Sequence, residues 1–243
     1  MTVSRSTPHP GASGQDRNGS GGEGASRPAP EPQPAPELGE HEAAARTICG
    51  DRLDLARRYT EHLASSGIVR GLIGPREAPR LWERHVLNCA VVESLIPRDA
   101  HVADVGSGAG LPGLCLAIAR PDLSITLIEP LERRVTWLEE IVADLGLDNV
   151  RVLRARAEQA KDEVGPVDVV TARAVSALIG LVDITLPLLK GSGELLALKG
   201  RSAQDELRKA SKKFNRYGVR SSEVVTVGED LLEEPTTVVR LVL

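Results

Sequence analysis

His101-Val-Ala-Asp-Val-Gly-Ser-Gly-Ala-Gly110 combines the two signals from which the architecture of this chain is read. Residues 101–105 form a short apolar run, which is typical of a strand covered on both faces of a sheet. A glycine-rich turn follows at once, and residues 111–119 then continue with a helical pattern. Glycines allow positive φ angles and leave room for a ligand against the backbone, because they carry no Cβ atom. We therefore predict a strand–loop–helix unit whose loop binds a ligand.

The chain beyond Pro97 repeats this alternation of strand and helix. Strands are predicted at 101–105, 124–128, 150–153, 167–170, 194–198, 223–227 and 236–243. Helices are predicted at 111–119, 131–145, near Glu158, at 175–189 and at 203–216. The last two strands have no helix between them, so we expect an antiparallel pair at one edge. The pattern predicts an α/β fold: a doubly wound, mostly parallel seven-stranded sheet with helices on both faces.

Composition and periodicity divide the chain into three parts. Residues 1–39 are rich in proline and glycine and are predicted to be a disordered tail, because they bury too little apolar surface to offset chain entropy. Residues 40–97 carry two helical patterns, at about 40–67 and 80–96, and are predicted to form an N-terminal helical cap. Residues 98–243 hold the alternating pattern and are predicted to be the ligand-binding core.

The totals argue against several classes of protein. Aromatic residues make up only 2% of the 243, so extensive stacking on nucleic-acid bases is not expected. The three cysteines, Cys49, Cys89 and Cys115, have neither a disulfide nor a zinc spacing, so we expect no metal and a reducing compartment. The pattern predicts neither a signal peptide nor a membrane span, and hence a cytoplasmic protein.

The glycine loop matches two cofactor-binding patterns. Gly108-Ala-Gly-Leu-Pro-Gly113 fits G-x-G-x-x-G, the dinucleotide fingerprint of NAD(P)-binding oxidoreductases. Asp104-Val-Gly-Ser-Gly-Ala-Gly110 fits the acidic-x-G-x-G-x-G pattern of S-adenosylmethionine enzymes. A carboxylate at Asp104 suits the ammonium and sulfonium groups of that cofactor and would repel a pyrophosphate. We favour S-adenosylmethionine and keep the dinucleotide as the alternative. The predicted contacts in the loop are Asp104, Gly106, Gly108 and Gly110.

A second acidic residue is expected at the same ligand. Glu129 ends the second predicted strand, 23 residues after Gly106. A carboxylate at that strand end can accept hydrogen bonds from both hydroxyls of a ribose. Since both cofactors contain a ribose, Glu129 predicts a nucleoside-binding site but does not distinguish between them.

The segment Asp104-Val-Gly-Ser-Gly-Ala-Gly-Leu-Pro-Gly113 resembles the glucose-inhibited division protein B (RsmG) family, which methylates small-subunit ribosomal RNA. Further matches follow in chain order: Leu81-Trp-Glu-Arg-His85, Arg133-Arg134, Ala157-Glu158, Thr171-Ala-Arg-Ala174 and Leu198-Lys-Gly200. The likeness covers about residues 53–243. It departs from the family pattern at Glu129-Pro130, where Asp-Ser is usual, and in the long N-terminal tail.

The resemblance implies a reaction that needs no catalytic base. It implies methyl transfer from S-adenosylmethionine to N7 of one guanine in the decoding-region loop of 16S rRNA. Guanine N7 carries a lone pair and no proton, so the enzyme's task is to hold the reacting atoms in line. We accordingly predict no catalytic general base, and we expect His85 to be packed or hydrogen-bonded. The cofactor contacts implied by the resemblance are Gly106, Leu111, Ala157, Glu158 and Arg173.

Binding of RNA requires clusters of basic residues on a chain whose net charge is −4. Residues 199–220 hold eight basic side chains against two acidic ones. The predicted partner is 16S rRNA, in the small ribosomal subunit or in an assembly intermediate, and we expect a monomer. The remaining alternatives are a methyltransferase for a small molecule and a non-catalytic RNA-binding assembly factor. The predicted RNA contacts are Arg133, Arg134, Lys199, Arg201 and Arg173, the last of which can also hold the cofactor.

Overall fold

The computed structural model describes Met1 and residues 30–243. Most of the predicted tail, residues 2–29, lies outside the described residues. Part of the remainder packs on the cap: Leu38 is buried, and the carbonyl of Pro36 accepts a hydrogen bond from the indole of Trp82 at 2.9 Å. The division into three domains stays a prediction, but these contacts place residues 36–38 against the folded body rather than in a free tail.

The N-terminal cap consists of short helical segments. They are α1 (Glu42–Cys49), α2 (Leu53–His62), a π-helical turn (Leu63–Gly67), a 3-10 turn (Pro75–Arg80), a second π-helical turn (Leu81–Leu87), α3 (Asn88–Ala90) and a 3-10 turn (Val91–Leu95). In α2 the buried residues recur at three- and four-residue spacing, which places them on one face of the helix. The two predicted helical regions are therefore present, although each is divided into several turns.

A seven-stranded sheet runs through the molecule in the order β3-β2-β1-β4-β5-β7-β6. The strands are β1 (His101–Val105), β2 (Ser124–Ile128), β3 (Val150–Leu153), β4 (Val169–Arg173), β5 (Glu194–Lys199), β6 (Ser221–Val227) and β7 (Thr236–Val242). β7 pairs antiparallel with β5 and β6, and the other pairings are parallel. The predicted doubly wound sheet with an antiparallel pair at one edge is confirmed. Because strand order reverses between β1 and β4, their carboxyl ends form the switch point at which such sheets bind ligands.

The remaining helices connect these strands. They are α4 (Gly113–Ala119), α5 (Glu132–Leu145), α6 (Ala157–Ala160), α7 (Leu178–Thr185), α8 (Ala203–Ala210) and α9 (Phe214–Tyr217). The glycine loop joins β1 to α4, so it lies at the switch point. This connection is the predicted strand–loop–helix unit.

Several boundaries differ from the prediction by two or three residues, and for two of them the structure shows the cause. β4 begins two residues later than expected because Asp168 belongs to the preceding turn, where its carboxylate accepts the backbone N–H of His101 at 2.8 Å. α7 begins at Leu178, three residues later than expected, because Ala174 adopts a φ of +54° and turns the chain along the sheet edge. The apolar pattern alone could not locate either turn, since both depend on contacts with distant residues.

Apolar side chains fill both faces of the sheet. Val102 belongs to a cluster that contains the cap, α4 and α5, whereas its neighbour Ala103 belongs to a cluster with α7 and α8. Both residues are fully buried, as expected for a central parallel strand. Since one continuous cluster contains side chains of the cap and of the sheet, the cap covers one face of the sheet.

Candidate cofactor and substrate site

The glycine loop adopts a backbone that requires glycine. Gly106, Gly108 and Gly110 have φ angles of +71°, +56° and +84°, in the left-handed region that disfavours side chains. A Cβ atom at Gly106 would lie 2.7 Å from Cγ2 of Val175, and one at Gly110 would collide with Leu114. Gly106 therefore keeps the space in front of β1 open, whereas Gly110 lets the loop pack on α4.

Two adjoining cavities lie at the carboxyl ends of β1, β2 and β4. The larger has a volume of about 680 Å³, within the range of about 300–1,000 Å³ typical of ligand sites. The smaller has a volume of about 270 Å³ and is lined by residues of the glycine loop and of the cap. Gly106, Arg134 and Ala174 line both, so the two cavities form one crevice, which we call the switch-point crevice.

Glu129 lies at the end of β2 and lines the larger cavity. Its carboxylate accepts backbone N–H groups of Gly108 and Leu131, each at 3.0 Å, and lies 3.5 Å from the Arg134 guanidinium. Because its side chain is only 1% exposed, the negative charge needs partners inside the protein, and these contacts provide them. The carboxylate is thus fixed beside the glycine loop, where the sequence predicted a contact to a ribose.

Asp104 has a different position from the one predicted. It is fully buried behind the loop, and its carboxylate accepts hydrogen bonds from the Thr171 hydroxyl at 2.9 Å and the Gly113 backbone N–H at 3.2 Å. Burial raises the pKa of this carboxyl from 3.8 to about 6. Asp104 therefore links β1 to β4 and to the first turn of α4, and the structure does not support a direct contact between its carboxylate and a ligand in the crevice.

The other predicted cofactor contacts separate into two groups. Gly106, Ala157 and Glu158 line the larger cavity, and Gly106, Gly108, Leu111 and Arg173 line the smaller one. Gly110, at the end of the loop, is buried against Leu114 of α4 and lines neither cavity. The fold thus brings together most of the residues that the sequence nominated, from the glycine loop, the end of β2, α6 and the end of β4. Asp104 and Gly110 support the loop from behind.

The predicted RNA contacts do not share one environment. Arg133 and Arg201 are exposed, whereas Arg134 and Arg173 line the crevice. The side chain of Lys199 is only 10% exposed: its ammonium lies 3.0 Å from the Glu206 carboxylate and donates to the Ser176 carbonyl at 2.6 Å. Lys199 is therefore engaged inside the protein, which favours a structural role over the predicted contact to RNA.

Several crevice residues were not predicted as ligand contacts. His85 lines the smaller cavity with Leu72 and Ile73, all three from the cap. Arg154 and Arg156, which follow β3, line the larger cavity. The sequence could have indicated Arg154 and Arg156, because they follow a predicted strand, and ligands bind at the carboxyl ends of parallel strands. The cap residues carried none, because only tertiary packing brings the cap to the sheet edge.

Two further features concern possible metals and membranes. Cys49, Cys89 and Cys115 are free thiols, and all three are buried. Among the residues that the structure describes, no group of three or more His, Cys, Asp or Glu side chains is placed to hold a metal ion. Within the same part of the chain, every helix is too short or too polar to cross a membrane.

The fold and the crevice define a class of protein. The structure is similar to that of a predicted O-methyltransferase from Agrobacterium tumefaciens, with a TM-score of 0.51 and 16% identity over 63% of this chain and 79% of that one. It is also similar to an M. jannaschii protein solved in complex with AdoMet, with a TM-score of 0.51 and 18% identity over 66% of this chain and 76% of that one. These similarities show the fold alone, and the match of residues 52–234 to a methyltransferase family model gives the class: the chain is an S-adenosylmethionine-dependent methyltransferase, and its cofactor is S-adenosylmethionine.

Sequence comparison then gives the family. Residues 52–234 match the family model GidB, rRNA small subunit methyltransferase G. A ribosomal RNA small subunit methyltransferase G from Pseudarthrobacter chlorophenolicus is 68% identical over 200 residues, which are 82% of this chain and 92% of that one. One from Thermobifida fusca is 55% identical over 198 residues, 82% of this chain and 83% of that one. The chain belongs to the rRNA small subunit methyltransferase G family, as its motifs predicted.

Proposed function

We propose that this chain transfers the methyl group of S-adenosylmethionine to N7 of one guanine in the decoding-region loop of 16S rRNA. The match to the family model over residues 52–234 carries the proposal. The geometry of the switch-point crevice supports it in two respects: one concerns the cofactor, the other the atom that accepts the methyl group.

The crevice suits a nucleoside with a charged tail. Glu129 lines the larger cavity, and its predicted role is to accept ribose hydroxyls there; the buried side chains of Ile128 and Ala157 offer an apolar surface beside it. Gly106 and Gly108 leave the backbone of the loop open on the side of the smaller cavity, and the Arg173 guanidinium offers N–H groups there. When bound, S-adenosylmethionine supplies an electrophilic methyl group on a sulfonium.

The crevice offers no free base among the side chains that line the smaller cavity. Both ring nitrogens of His85 are engaged, with Glu77 at 2.9 Å and Arg173 at 2.9 Å. The other charged side chains there, Arg134 and Arg173, are guanidinium groups, which donate hydrogen bonds and accept none. Such a site suits an acceptor atom that has a lone pair and no proton to lose, which is the property of guanine N7. The chain's contribution is to hold the acceptor in line and to exclude water.

Charge at the rim supports RNA as the substrate. Arg133 and Arg201 are exposed, and Arg154 and Arg156 extend from the larger cavity into solvent. Guanidinium groups bind phosphates without reading sequence, so these residues would orient the RNA while its shape selects the nucleotide. We further propose that the protein acts as a cytoplasmic monomer, without a metal, on the small ribosomal subunit or an assembly intermediate.

Site-resolved methylation tests the proposal. Free 16S rRNA and small subunits are purified from a strain that lacks the gene and are incubated with the protein and S-adenosylmethionine. Borohydride and aniline treatment, which cleaves RNA at N7-methylguanine, should then give a single new stop in the decoding-region loop. Gly106→Asp, which places a carboxylate in the cofactor's position, is the matched inactive control. Incorporation at another atom, or none into either RNA substrate, would refute the proposal.

A further inference from the structure

The cap holds the guanidinium of Arg173 at three points. Nη2 donates to the carbonyl oxygen of Arg84 at 3.1 Å and to Nδ1 of His85 at 2.9 Å, and Nη1 donates to Sγ of Cys89 at 3.0 Å. The three acceptors belong to one continuous helical run of the cap, Leu81–Leu87 and α3. Arg173 itself ends β4 and lines the smaller cavity. One side chain of the sheet is therefore fixed by the cap at the edge of the cofactor site.

The contact with His85 has a defined polarity. A guanidinium has no lone pair to offer, so Nδ1 of His85 must accept, and the ring proton is assigned to Nε2. Nε2 then donates to the Glu77 carboxylate at 2.9 Å. Burial, together with the charge of Arg173, lowers the pKa of His85 and keeps the ring neutral. The hydrogen bond from His85 lowers the pKa of Glu77, which stays ionised.

These bonds make Glu77, His85 and Arg173 a directed chain that ends at the crevice. The Glu77 carboxylate accepts a hydrogen bond from Nε2 of His85, which fixes the orientation of the imidazole ring. Nδ1 of that ring in turn accepts a hydrogen bond from Arg173 and fixes the plane of its guanidinium. A mobile arginine side chain loses rotamer entropy when a ligand immobilises it. Fixing the side chain beforehand removes much of that cost from binding.

We propose that Glu77 and His85 are positioning residues that orient the Arg173 guanidinium toward the cofactor in the switch-point crevice. The inference rests on S-adenosylmethionine as the cofactor and not on the identity of the RNA substrate. Neither residue needs to touch the cofactor, because both act through Arg173. The cap is thereby part of the cofactor site as well as a cover for the sheet.

Binding of S-adenosylhomocysteine, measured by calorimetry without RNA, tests the proposal. His85→Leu removes the acceptor for Arg173 and should weaken the ligand at least fivefold. His85→Asn, whose side-chain oxygen can take the place of Nδ1, should stay within about twofold of wild type. His62→Leu is the matched control, because His62 is also in the cap but binds Asp144 on α5 at 2.8 Å. Its affinity for the ligand should be unchanged.

A double-mutant cycle separates positioning from general loss of packing. If His85 acts through Arg173, then His85→Leu should cause no further loss of affinity in an Arg173→Met background. Additive losses, or wild-type affinity in His85→Leu, would overturn the proposal. If His85→Leu does not fold, Glu77→Ala gives the decision, because Glu77 is partly exposed. It should weaken binding severalfold, and an unchanged affinity would equally overturn the proposal. Methylation of RNA by these variants is a separate measurement, so failure here leaves the proposed function standing.

Discussion

Single backbone positions decide whether the switch-point crevice is open. Gly106 has a positive φ angle and faces the cavity, and the adjacent Val175 leaves no room for a Cβ atom. Ala174, the chain neighbour of Val175, has a φ of +54° although it is not glycine. Residues with a positive φ angle cost about 1–3 kcal/mol and occur preferentially at functional sites. The crevice therefore depends on unusual backbone conformations at the ends of both β1 and β4.

Gly106→Ala should weaken binding of S-adenosylhomocysteine by at least tenfold while the protein stays folded. The added Cβ would lie 2.7 Å from the side chain of Val175, inside the crevice. Gly146→Ala is the matched control, because Gly146 also has a positive φ, +64°, but no atom lies within 4 Å of its added Cβ. Both variants should lose about 1–2 kcal/mol of stability because alanine disfavours a positive φ angle. Gly106→Ala should lose more than Gly146→Ala because of the contact with Val175, and only Gly106→Ala should lose affinity. Equal affinity in the two variants would remove Gly106 from the site.

Asp104 predicts a pH dependence of stability. Burial raises its pKa in the folded state to about 6 from an ordinary value of 3.8, so the folded state binds this proton more tightly than the unfolded chain does. The stability from this group is fully present below pH 3.8 and is lost as the pH rises through 6. Between pH 5 and 7, wild type should therefore lose roughly 1 kcal/mol relative to Asp104→Asn.

Urea unfolding of both proteins across this range measures the difference. Asp183→Asn is the control with the opposite sign, because hydrogen bonds from Lys213 and Tyr217 lower the pKa of Asp183. That variant should be less stable than wild type by an amount that stays constant between pH 5 and 7, and the deficit should shrink only as the pH falls below 3.8. A difference between Asp104→Asn and wild type that does not change with pH would show that Asp104 is ionised at pH 5.

At the scale of the elements, one ion pair holds the loop between β4 and α7. Glu206, in the first turn of α8, accepts the backbone N–H of Leu178 at 2.8 Å and lies 3.0 Å from the ammonium of Lys199. Lys199 also donates to the carbonyl of Ser176 in the loop. The end of β5 and the starts of α7 and α8 are thus fixed together beside the crevice.

Lys199→Ala and Arg201→Ala should therefore behave differently. Lys199→Ala removes the cation beside Glu206 and the donor to the Ser176 carbonyl, so stability should fall by about 1–3 kcal/mol while the salt dependence of RNA binding stays that of wild type. Arg201→Ala should keep its stability, but the slope of log affinity against log salt should decrease by about 1. Thermal unfolding and RNA titrations at several salt concentrations distinguish the two. A reduced salt slope in Lys199→Ala would restore Lys199 as a phosphate contact.

For the whole molecule, the cap and the core form one structural unit. Their apolar side chains share a cluster, and the buried hydroxyl of Tyr59 in α2 donates to the carbonyl of Ala109 in the glycine loop at 2.6 Å. Trp137 of α5 donates to the hydroxyl of Ser66 at 2.9 Å. The loop that forms the cofactor site is thus supported from the cap side, so damage to the cap should affect both stability and cofactor binding.

Tyr59→Phe tests this coupling. Removing the hydroxyl leaves the buried carbonyl of Ala109 without this donor, which should cost about 1–3 kcal/mol of stability and weaken S-adenosylhomocysteine binding. Tyr217→Phe is the control: its hydroxyl binds Asp183 at 2.8 Å in a half-buried site beyond the crevice. That variant should bind the ligand like wild type. Unchanged affinity in Tyr59→Phe would show that the glycine loop does not need the cap.

The cofactor and several of its contacts followed from the resemblance to a methyltransferase family. The sequence by itself determined the class of fold and the place of the crevice. These features follow from local rules. The spacing of apolar residues predicts strands and helices, glycines mark backbone with positive φ angles, and the carboxyl ends of parallel strands meet at one edge of the sheet. Gly106 and Glu129 could be nominated for that reason. The tertiary structure decided what depends on contacts between distant residues. It buried Asp104 behind the loop, paired Lys199 with Glu206, and brought His85 of the cap to Arg173. A charged side chain's role depends on its partners. Local sequence does not reveal which partners the fold brings together, whether they lie close in the chain, as Lys199 and Glu206 do, or 88 residues apart, as His85 and Arg173 do.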